Sequence, residues 1–430
     1  MENLIHFLSL ADPNIRYAVL GSVLLGMGAA SIGCFAFLRK QSLVGDAVAH
    51  AVLPGICLGF VLSGSKHPIW LFAGAMLTGW LSLMAINSIR KHTRLKEDTA
   101  IAIVLSVFFG AGILFLTMIQ HSDNANQAGL DKFLFGKAAS LVETDVQIFA
   151  VMTAVILALL WLMYKEFKIA AFDSEFSKSI GLPMRWIEFV QTALIVIAVV
   201  SGIQAVGVVL MAAMLITPAA SARYWTDSLP VMILIAVVSG VIAAVVGVGI
   251  STMAPKIPTG PSIVLVATAL FAISVVAAPR RGVLARVFLH RRNQVRMQDE
   301  NVLKTLYLLG EGDNDFLKGK TVAEITGRRK IPVAFLKSSL WRLKRQGFLK
   351  ESSGGIWTLT PEGKARGARV IKLHRLWEVY LTKYVNLAQD HVHDDAESME
   401  HVLTPELEAQ LEQLLEFPAT DPHDKVIPYS

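Results

Sequence analysis

The apolar segment "SLVGDAVAHAVLPGICLGF" (residues 42–60) decides the fold class, and it carries two ionisable residues, Asp46 and His50. An α-helix needs about 20 mostly apolar residues to cross the hydrocarbon core of a bilayer. The apolar run at 44–63 has that length and therefore predicts a membrane-spanning helix. Residues four positions apart share a helix face, so we expect Asp46 and His50 on the same side.

The rest of the chain supports a membrane protein. It has 430 residues, of which 53% are hydrophobic and only 17% charged, which is too apolar for a soluble enzyme. Apolar runs fill residues 16–279, whereas residues 281–430 contain none of spanning length. The sequence predicts an all-α polytopic membrane bundle followed by a soluble tail. The other single-pass runs lie at 17–38, 69–89, 100–119, 146–164, 229–250 and 261–278.

One run, residues 187–222, is too long for a single pass. At 1.5 Å per residue it would extend roughly 54 Å, against a hydrocarbon core of about 30 Å. We expect two short passes broken near Gly202 and Gly207. Nine passes with the N-terminus outside place every basic loop in the cytoplasm, as the positive-inside rule favours. Eight passes are the alternative, because a re-entrant segment would change the count.

Asp46 and His50 are the leading candidates for a transport pathway. Ionisable side chains at membrane depth are costly, so they are functional candidates by default. A carboxylate with a neutral imidazole suits Mn, Fe(II) or Zn. The alternative for Asp46 is a helix cap. Gln204 and Thr217, which precedes Pro218, are further polar candidates, with kinked helix packing as their alternative interpretation.

The chain shows no nucleotide-binding motif of its own. The nearest approach to a phosphate-binding loop is "GKT" (319–321), and Asn314 stands where that motif requires glycine. No HExxH metalloprotease motif is present. We therefore expect a chain that is not an enzyme, and transport would need a separate ATPase.

Six motifs together resemble the permease subunits of ABC importers for manganese, zinc or iron, the ABC-3 family. The resemblance implies a homodimeric or heterodimeric permease in the bacterial inner membrane, with a cytoplasmic ATPase and an extracytoplasmic metal-binding protein. It also implies that Asp46 and His50 handle the metal. The motifs are "SLVGDAVAHAVLPG" (42–55), "TRLKEDTAIAIVLS" (93–106), "LDKFLFG" (130–136), "FDSEFSKSIGLP" (172–183), "QAVGVVLMAAMLITPAASA" (204–222) and "IPTGPSIVLVATALFAIS" (257–274).

Within "FDSEFSKSIGLP" the resemblance implies a coupling helix that docks on the ATPase. The positive-inside count separately places this loop in the cytoplasm. The residues expected to contact the ATPase are Glu175, Phe176, Ile180 and Gly181.

The soluble tail is basic in its first part, with 22 Lys and Arg against 10 Asp and Glu over residues 281–390. We predict four parts: a membrane domain (1–279), a basic linker that forms a helix at the lipid headgroups (280–297), a winged helix-turn-helix (298–365) and a small helical metal-binding and dimerisation domain (366–430). A solvated basic face is the alternative to DNA contact for the third helix of the tail. The basic residues there are Lys337, Arg342, Lys344 and Arg345.

Metal-ligand spacing occurs twice near the end of the chain. His374 and Glu378 are four residues apart on one predicted helix, and Glu397, Glu400 and His401 share a face of another. With His393 these side chains offer up to six nitrogen and oxygen ligands and no thiolate, which favours Mn, Fe(II) or Zn. The alternative is ordinary solvated helix charges.

The tail resembles the iron- and manganese-dependent repressors, down to the closing "PATDPHDKVIP". The resemblance implies that those six residues are metal-site positions. Glu397 stands where iron-type members tend to carry cysteine and manganese-type members glutamate, which favours manganese. One departure stands out: Asn301 and Lys304 occupy positions where manganese-type members carry acidic ligands.

We therefore expect the permease subunit of an ATP-driven importer of Mn, Zn or Fe, whose cytoplasmic tail senses the imported ion. The divalent metal would be both substrate and regulatory ligand, and no organic cofactor is implied. The alternative is a membrane-anchored, metal-responsive transcription regulator that binds DNA.

Overall fold

The computed structural model describes residues 11–41, 43–65, 68–121, 141–253, 257–352, 354–385 and 405–429, together with Phe7 and Ser9. The chain divides into two compact units, Met1–Arg286 and Val287–Ser430. We call the first the membrane unit and the second the tail.

In its described residues the membrane unit is helical. Eight of these helices are long and apolar enough to cross a membrane: α1, α2, α3, α4, α5, α8, α10 and α11. The helices are α1 (Pro13–Leu38), α2 (Val44–Ser63), α3 (Pro68–His92), α4 (Glu97–Gln120), α5 (Glu143–Leu162), α6 (Tyr164–Phe172), α7 (Ser174–Ser179), α8 (Met184–Val206), α9 (Val208–Trp225), α10 (Leu229–Met253) and α11 (Thr259–Ala277).

The long apolar run at 187–222 is divided at Gly207. This residue adopts φ 91°, a left-handed conformation that favours glycine and ends α8 before α9 begins. The predicted break near Gly207 is confirmed, whereas Gly202 lies inside α8. Helix α9 has 18 residues and is not one of the eight spans. For this helix the choice between eight and nine passes stays a prediction.

Glycine lets the helices of the membrane unit approach closely, as their small-residue runs indicate. A Cβ added at Gly26 in α1 would lie 3.1 Å from the carbonyl oxygen of Gly240 in α10. Gly55 in α2 and Gly74 in α3 are closer, because a Cβ on either would lie 2.1 Å from the other's carbonyl oxygen. In α1 and α2 78% of the most apolar window is buried, against 22% in α4. Helices α1 and α2 therefore form the centre of the unit.

The tail contains the predicted winged helix-turn-helix. The hairpin pairs β1 (Leu349–Ser352) with β2 (Ile356–Leu359) in antiparallel register, and Gly354 and Gly355 turn with positive φ. Thr321 and Glu324 form a capping box at the start of α13. Three helices complete this part: α12 (Val283–Gly312), α13 (Val322–Arg328) and α14 (Val333–Arg345).

Helix α12 joins two segments that were predicted to be helical. It has 30 residues, begins at Val283 inside the predicted linker (280–297) and continues past the predicted start of the winged domain. The two compact units divide inside it, at residues 286 and 287.

The end of the tail packs α15 (Pro361–Tyr384) against α16 (Pro405–Leu414). Leu376, Leu411 and Ile427 form a small apolar core there. Beside it the carboxylate of Glu408 accepts two hydrogen bonds from Arg369, at 2.9 and 2.7 Å. This arrangement fixes α15, the helix that carries His374 and Glu378.

Candidate metal centres

Asp46 and His50 face each other near the start of α2. Nε2 of His50 lies 3.5 Å from Oδ1 of Asp46, and the side chains are 20% and 40% exposed. The N-cap residue of α2 is Leu43, and no side chain caps this end. The pairing with His50 therefore accounts for Asp46 better than the capping alternative does.

The ring of His50 is held between two helices. It makes an edge contact with Phe109 of α4, with ring centroids 4.9 Å apart. Nδ1 is buried and has no hydrogen-bond partner among the described residues. A buried ring nitrogen without a partner is unusual. The other ring nitrogen, Nε2, faces Asp46 and is the one that can share an ion with this carboxylate.

Helix α9 packs beside the start of α2, where a Cβ on Gly45 would lie 2.7 Å from Leu215. Thr217 lies two residues further along α9 and is half-buried, next to the buried Pro218. The side chain of Gln204 lies outside the described residues. Of the two further polar candidates, the structure therefore describes the side chain of Thr217 alone.

The expected coupling segment forms the short helix α7. Its N-cap, Asp173, accepts a hydrogen bond from the backbone N–H of Phe176 at 2.8 Å. Phe176 and Ile180 are 54% and 49% exposed, although both are large and apolar. Gly181 ends this turn with φ +82°, and Glu175 forms an ion pair within the helix. The four predicted residues thus lie together on one exposed turn.

In the tail, His374 and Glu378 form the pair that their spacing predicts. Nε2 of His374 lies 3.0 Å from Oε1 of Glu378, and both side chains are buried in α15. The other four predicted ligands, His393, Glu397, Glu400 and His401, lie outside the described residues.

Two further side chains join Glu378, and sequence reasoning missed them. Glu378, Asp421 and His423 each offer a ligand atom, and these atoms lie within 4.8 Å of one another. Nδ1 of His423 is 3.8 Å from Oε2 of Glu378. The only sequence signal was the "DPH" triplet (421–423) in the closing loop. This group fits a divalent ion, because its donors are two carboxylates and one imidazole.

Basic side chains surround the same cleft, which has a volume of about 610 Å³. Arg375 pairs with Glu311 at 2.8 Å, and its Nε lies 3.6 Å from Asp421. Lys304 lies 3.0 Å from Nδ1 of His374. The cleft therefore combines the possible metal ligands Glu378, Asp421 and His423 with two side-chain cations. Arg375 lies beside Asp421, and Lys304 lies beside His374.

The basic face of the winged domain is partly engaged within the tail. Arg342 makes two hydrogen bonds to Asp299, at 3.1 and 2.8 Å. Lys344 pairs with Glu351 at 2.7 Å. Lys337 and Arg345 are exposed, and Arg345 lies over the ring of Trp341. Two of the four residues expected to contact nucleic acid are thus already paired with carboxylates.

The fold and these two centres describe a multi-pass membrane protein with a metal-ligand group in a winged-helix tail. Residues 11–278 match the ABC 3 transport family. The chain belongs to this family. Residues 360–429 match "Iron dependent repressor, metal binding and dimerisation domain", so both resemblances drawn from the sequence are confirmed.

Curated relatives match most of the chain. "Manganese transport system membrane protein MntC" of Bacillus subtilis is 42% identical over 382 residues, which is 89% of this chain and 87% of that protein. "Zinc transport system membrane protein TroC" of Treponema pallidum is 44% identical over 282 residues, 66% of this chain and 95% of that one. The solved structure "PsaBC from Streptococcus pneumoniae in complex with Fab" is 34% identical, with a TM-score of 0.58, and covers 64% of this chain and 97% of that one. These likenesses favour transport over the membrane-anchored regulator.

Proposed function

We propose that this chain is the membrane permease subunit of an importer of Mn²⁺ or Zn²⁺. The observation that carries the proposal is the Asp46–His50 pair on α2, in a chain whose relatives are named for manganese and zinc transport. A separate cytoplasmic ATPase supplies the energy and docks on α7. An extracytoplasmic metal-binding protein delivers the ion to a dimer of permease subunits in the bacterial cell membrane. The tail lies in the cytoplasm.

The pair suits transient binding. A carboxylate oxygen and an imidazole nitrogen replace part of the hydration shell of a borderline ion. Two protein ligands leave the remaining coordination positions to water or other groups. Such a site binds strongly enough for entry and weakly enough for release, which conduction requires.

The test is the uptake of Mn and Zn in a deletion strain complemented with wild type, Asp46→Ala or His50→Ala at matched membrane levels. We expect both variants to lose uptake of the same metal. His92→Ala is the matched control, because His92 is exposed at the end of α3. Full uptake by both variants of the pair would contradict the proposed pathway.

We also propose that the tail reduces uptake when cytoplasmic metal is plentiful. Within the described residues Glu378, Asp421 and His423 would hold the regulatory ion. His423 is suited to a variant because its side chain is 42% exposed, so its loss leaves the core of the tail in place.

This regulatory role is tested separately from transport. In metal-replete cells His423→Ala and a truncation lacking residues 298–430 are both expected to raise uptake, and His290→Ala, at an exposed histidine of α12, is expected to leave it unchanged. Unchanged uptake in both altered tails, at matched expression, would refute regulation and leave the transport proposal intact.

A further inference from the structure

Lys304 is a buried lysine on α12 that contacts a buried histidine on α15. Its ammonium nitrogen lies 3.0 Å from Nδ1 of His374, and Nε2 of the same ring lies 3.0 Å from Oε1 of Glu378. The three residues are 3%, 4% and 2% exposed, in that order. We call Lys304, His374 and Glu378 the buried trio. The trio joins two helices through Lys304 and His374, which are 70 positions apart in the sequence.

The hydrogen-bonding capacity of these groups determines the tautomer of the ring. A lysine ammonium only donates hydrogen bonds, so Nδ1 of His374 accepts. Nε2 then carries the proton of the neutral ring and donates it to the carboxylate of Glu378. An imidazole binds a metal through a nitrogen lone pair. In the trio, the one lone pair of the ring is directed to Lys304.

The charges of the trio also argue against a metal ion bound to His374. A divalent ion bound to His374 would lie close to the positive charge of Lys304, and like charges repel more strongly in a poorly solvated interior than in water. A buried ammonium also needs a nearby negative charge. Glu378 provides one through the ring of His374. The trio therefore already holds the cation that its carboxylate requires.

We propose that the ammonium group of Lys304 takes the place of a metal ion in the tail and joins α12 to α15 whether or not metal is present. His374 then orients Glu378 and does not bind the metal itself. Oε2 of Glu378, with Asp421 and His423, remains as the described place for an exchangeable ion. This inference goes beyond the proposed function, because it holds whichever metal the membrane unit carries.

The test is hydrogen–deuterium exchange of the full-length protein in detergent, measured by mass spectrometry on peptides covering residues 300–310. In wild type we expect exchange with EDTA and with Mn²⁺ to agree within about threefold. Lys304→Met removes the cation that contacts Nδ1 of His374 and with it the hydrogen bond between α12 and α15, so exchange in EDTA should rise about tenfold or more. The matched control is Lys320→Met, at a second buried lysine that pairs with Asp313. The change in exchange that Lys320→Met causes in the peptides covering residues 300–310 should be the same in EDTA and in Mn²⁺.

A second variant, Lys304→Glu, reverses the charge at the same position. It should bind about one Mn²⁺ per chain more than wild type, because it adds a carboxylate and frees the lone pair of His374. In this variant the peptides covering residues 300–310 should exchange slowly with Mn²⁺ and rapidly in EDTA.

Three results would overturn the inference. The first is wild-type protection that falls about tenfold or more in EDTA, which would place a metal at the position of the ammonium group. The second is a Lys304→Met variant as protected as wild type in EDTA. The third is a Lys304→Glu variant that gains no Mn²⁺, and this result decides the matter even if Lys304→Met fails to fold. None of these measurements depends on transport or on regulation.

Discussion

The close contact between Gly55 and Gly74 predicts a large effect from one added methyl group. In Gly55→Ala the new Cβ would lie 2.1 Å from the carbonyl oxygen of Gly74 and 2.2 Å from Oγ1 of Thr78, whereas ordinary contact begins near 3.4 Å. Helices α2 and α3 would have to separate locally by about 1.3 Å to relieve the first overlap. Overpacking of this kind costs about 1–3 kcal/mol.

Gly110→Ala is the matched control, because a Cβ at this position in α4 would meet nothing within 4 Å. Both substitutions replace a helical glycine, so the gain in helix propensity cancels between them. The difference in stability is then the cost of the overlap. At roughly 2–4 °C per kcal/mol, the thermal midpoint of Gly55→Ala should lie about 2–12 °C below that of the control.

The assay is thermal unfolding of both purified variants in the same detergent, with metal uptake measured in parallel. Helix α2 also carries Asp46 and His50, so we expect Gly55→Ala to lower uptake and Gly110→Ala to leave it unchanged. Equal midpoints and equal uptake would show that α2 and α3 are not in the close contact described here, and would refute the reasoning.

Two further predictions concern other parts of the chain. Burial raises the pKa of Glu408, but its hydrogen bonds and charge pairs with Arg369 and Lys372 outweigh burial and hold that pKa below the ordinary 4.5. The contribution of Glu408 to stability is therefore present above pH 4.5 and lost as the pH falls through the lowered pKa. Glu408→Gln should lower the thermal stability of the tail at pH 7. If wild type and Glu408→Gln still differ by the same amount in strong acid, this argument is contradicted. Cys34 and Cys57 are both fully buried. A maleimide should therefore label them only after the protein is denatured. Labelling of the folded protein would contradict the burial of these two thiols.

The local features of the molecule were predictable from its sequence. The i, i+4 pairs Asp46–His50 and His374–Glu378 depend only on helix geometry. The break at Gly207 reflects the limited thickness of a bilayer and the freedom of glycine to adopt positive φ. Apolar periodicity and helix spacing act over a few residues, so one sequence contains enough information for them.

The features that sequence reasoning missed depend on contacts between distant segments. Lys304 meets His374 across 70 residues, and Asp421 and His423 reach Glu378 from a closing loop. No local pattern reports such a meeting. The basic residues of 280–297 predict a helix at the lipid headgroups, but nothing in the sequence indicates that this helix continues without a break into the winged domain.

Helix α12 is a single covalent element that begins in the membrane unit and ends in the tail. Every membrane unit therefore carries one tail, and the tail cannot diffuse away from it. A free regulator averages over the whole cytoplasm, whereas a tethered one samples a small volume at high effective concentration. If the tail regulates uptake as proposed, each transporter responds to the ions released beside it and not to the mean content of the cell.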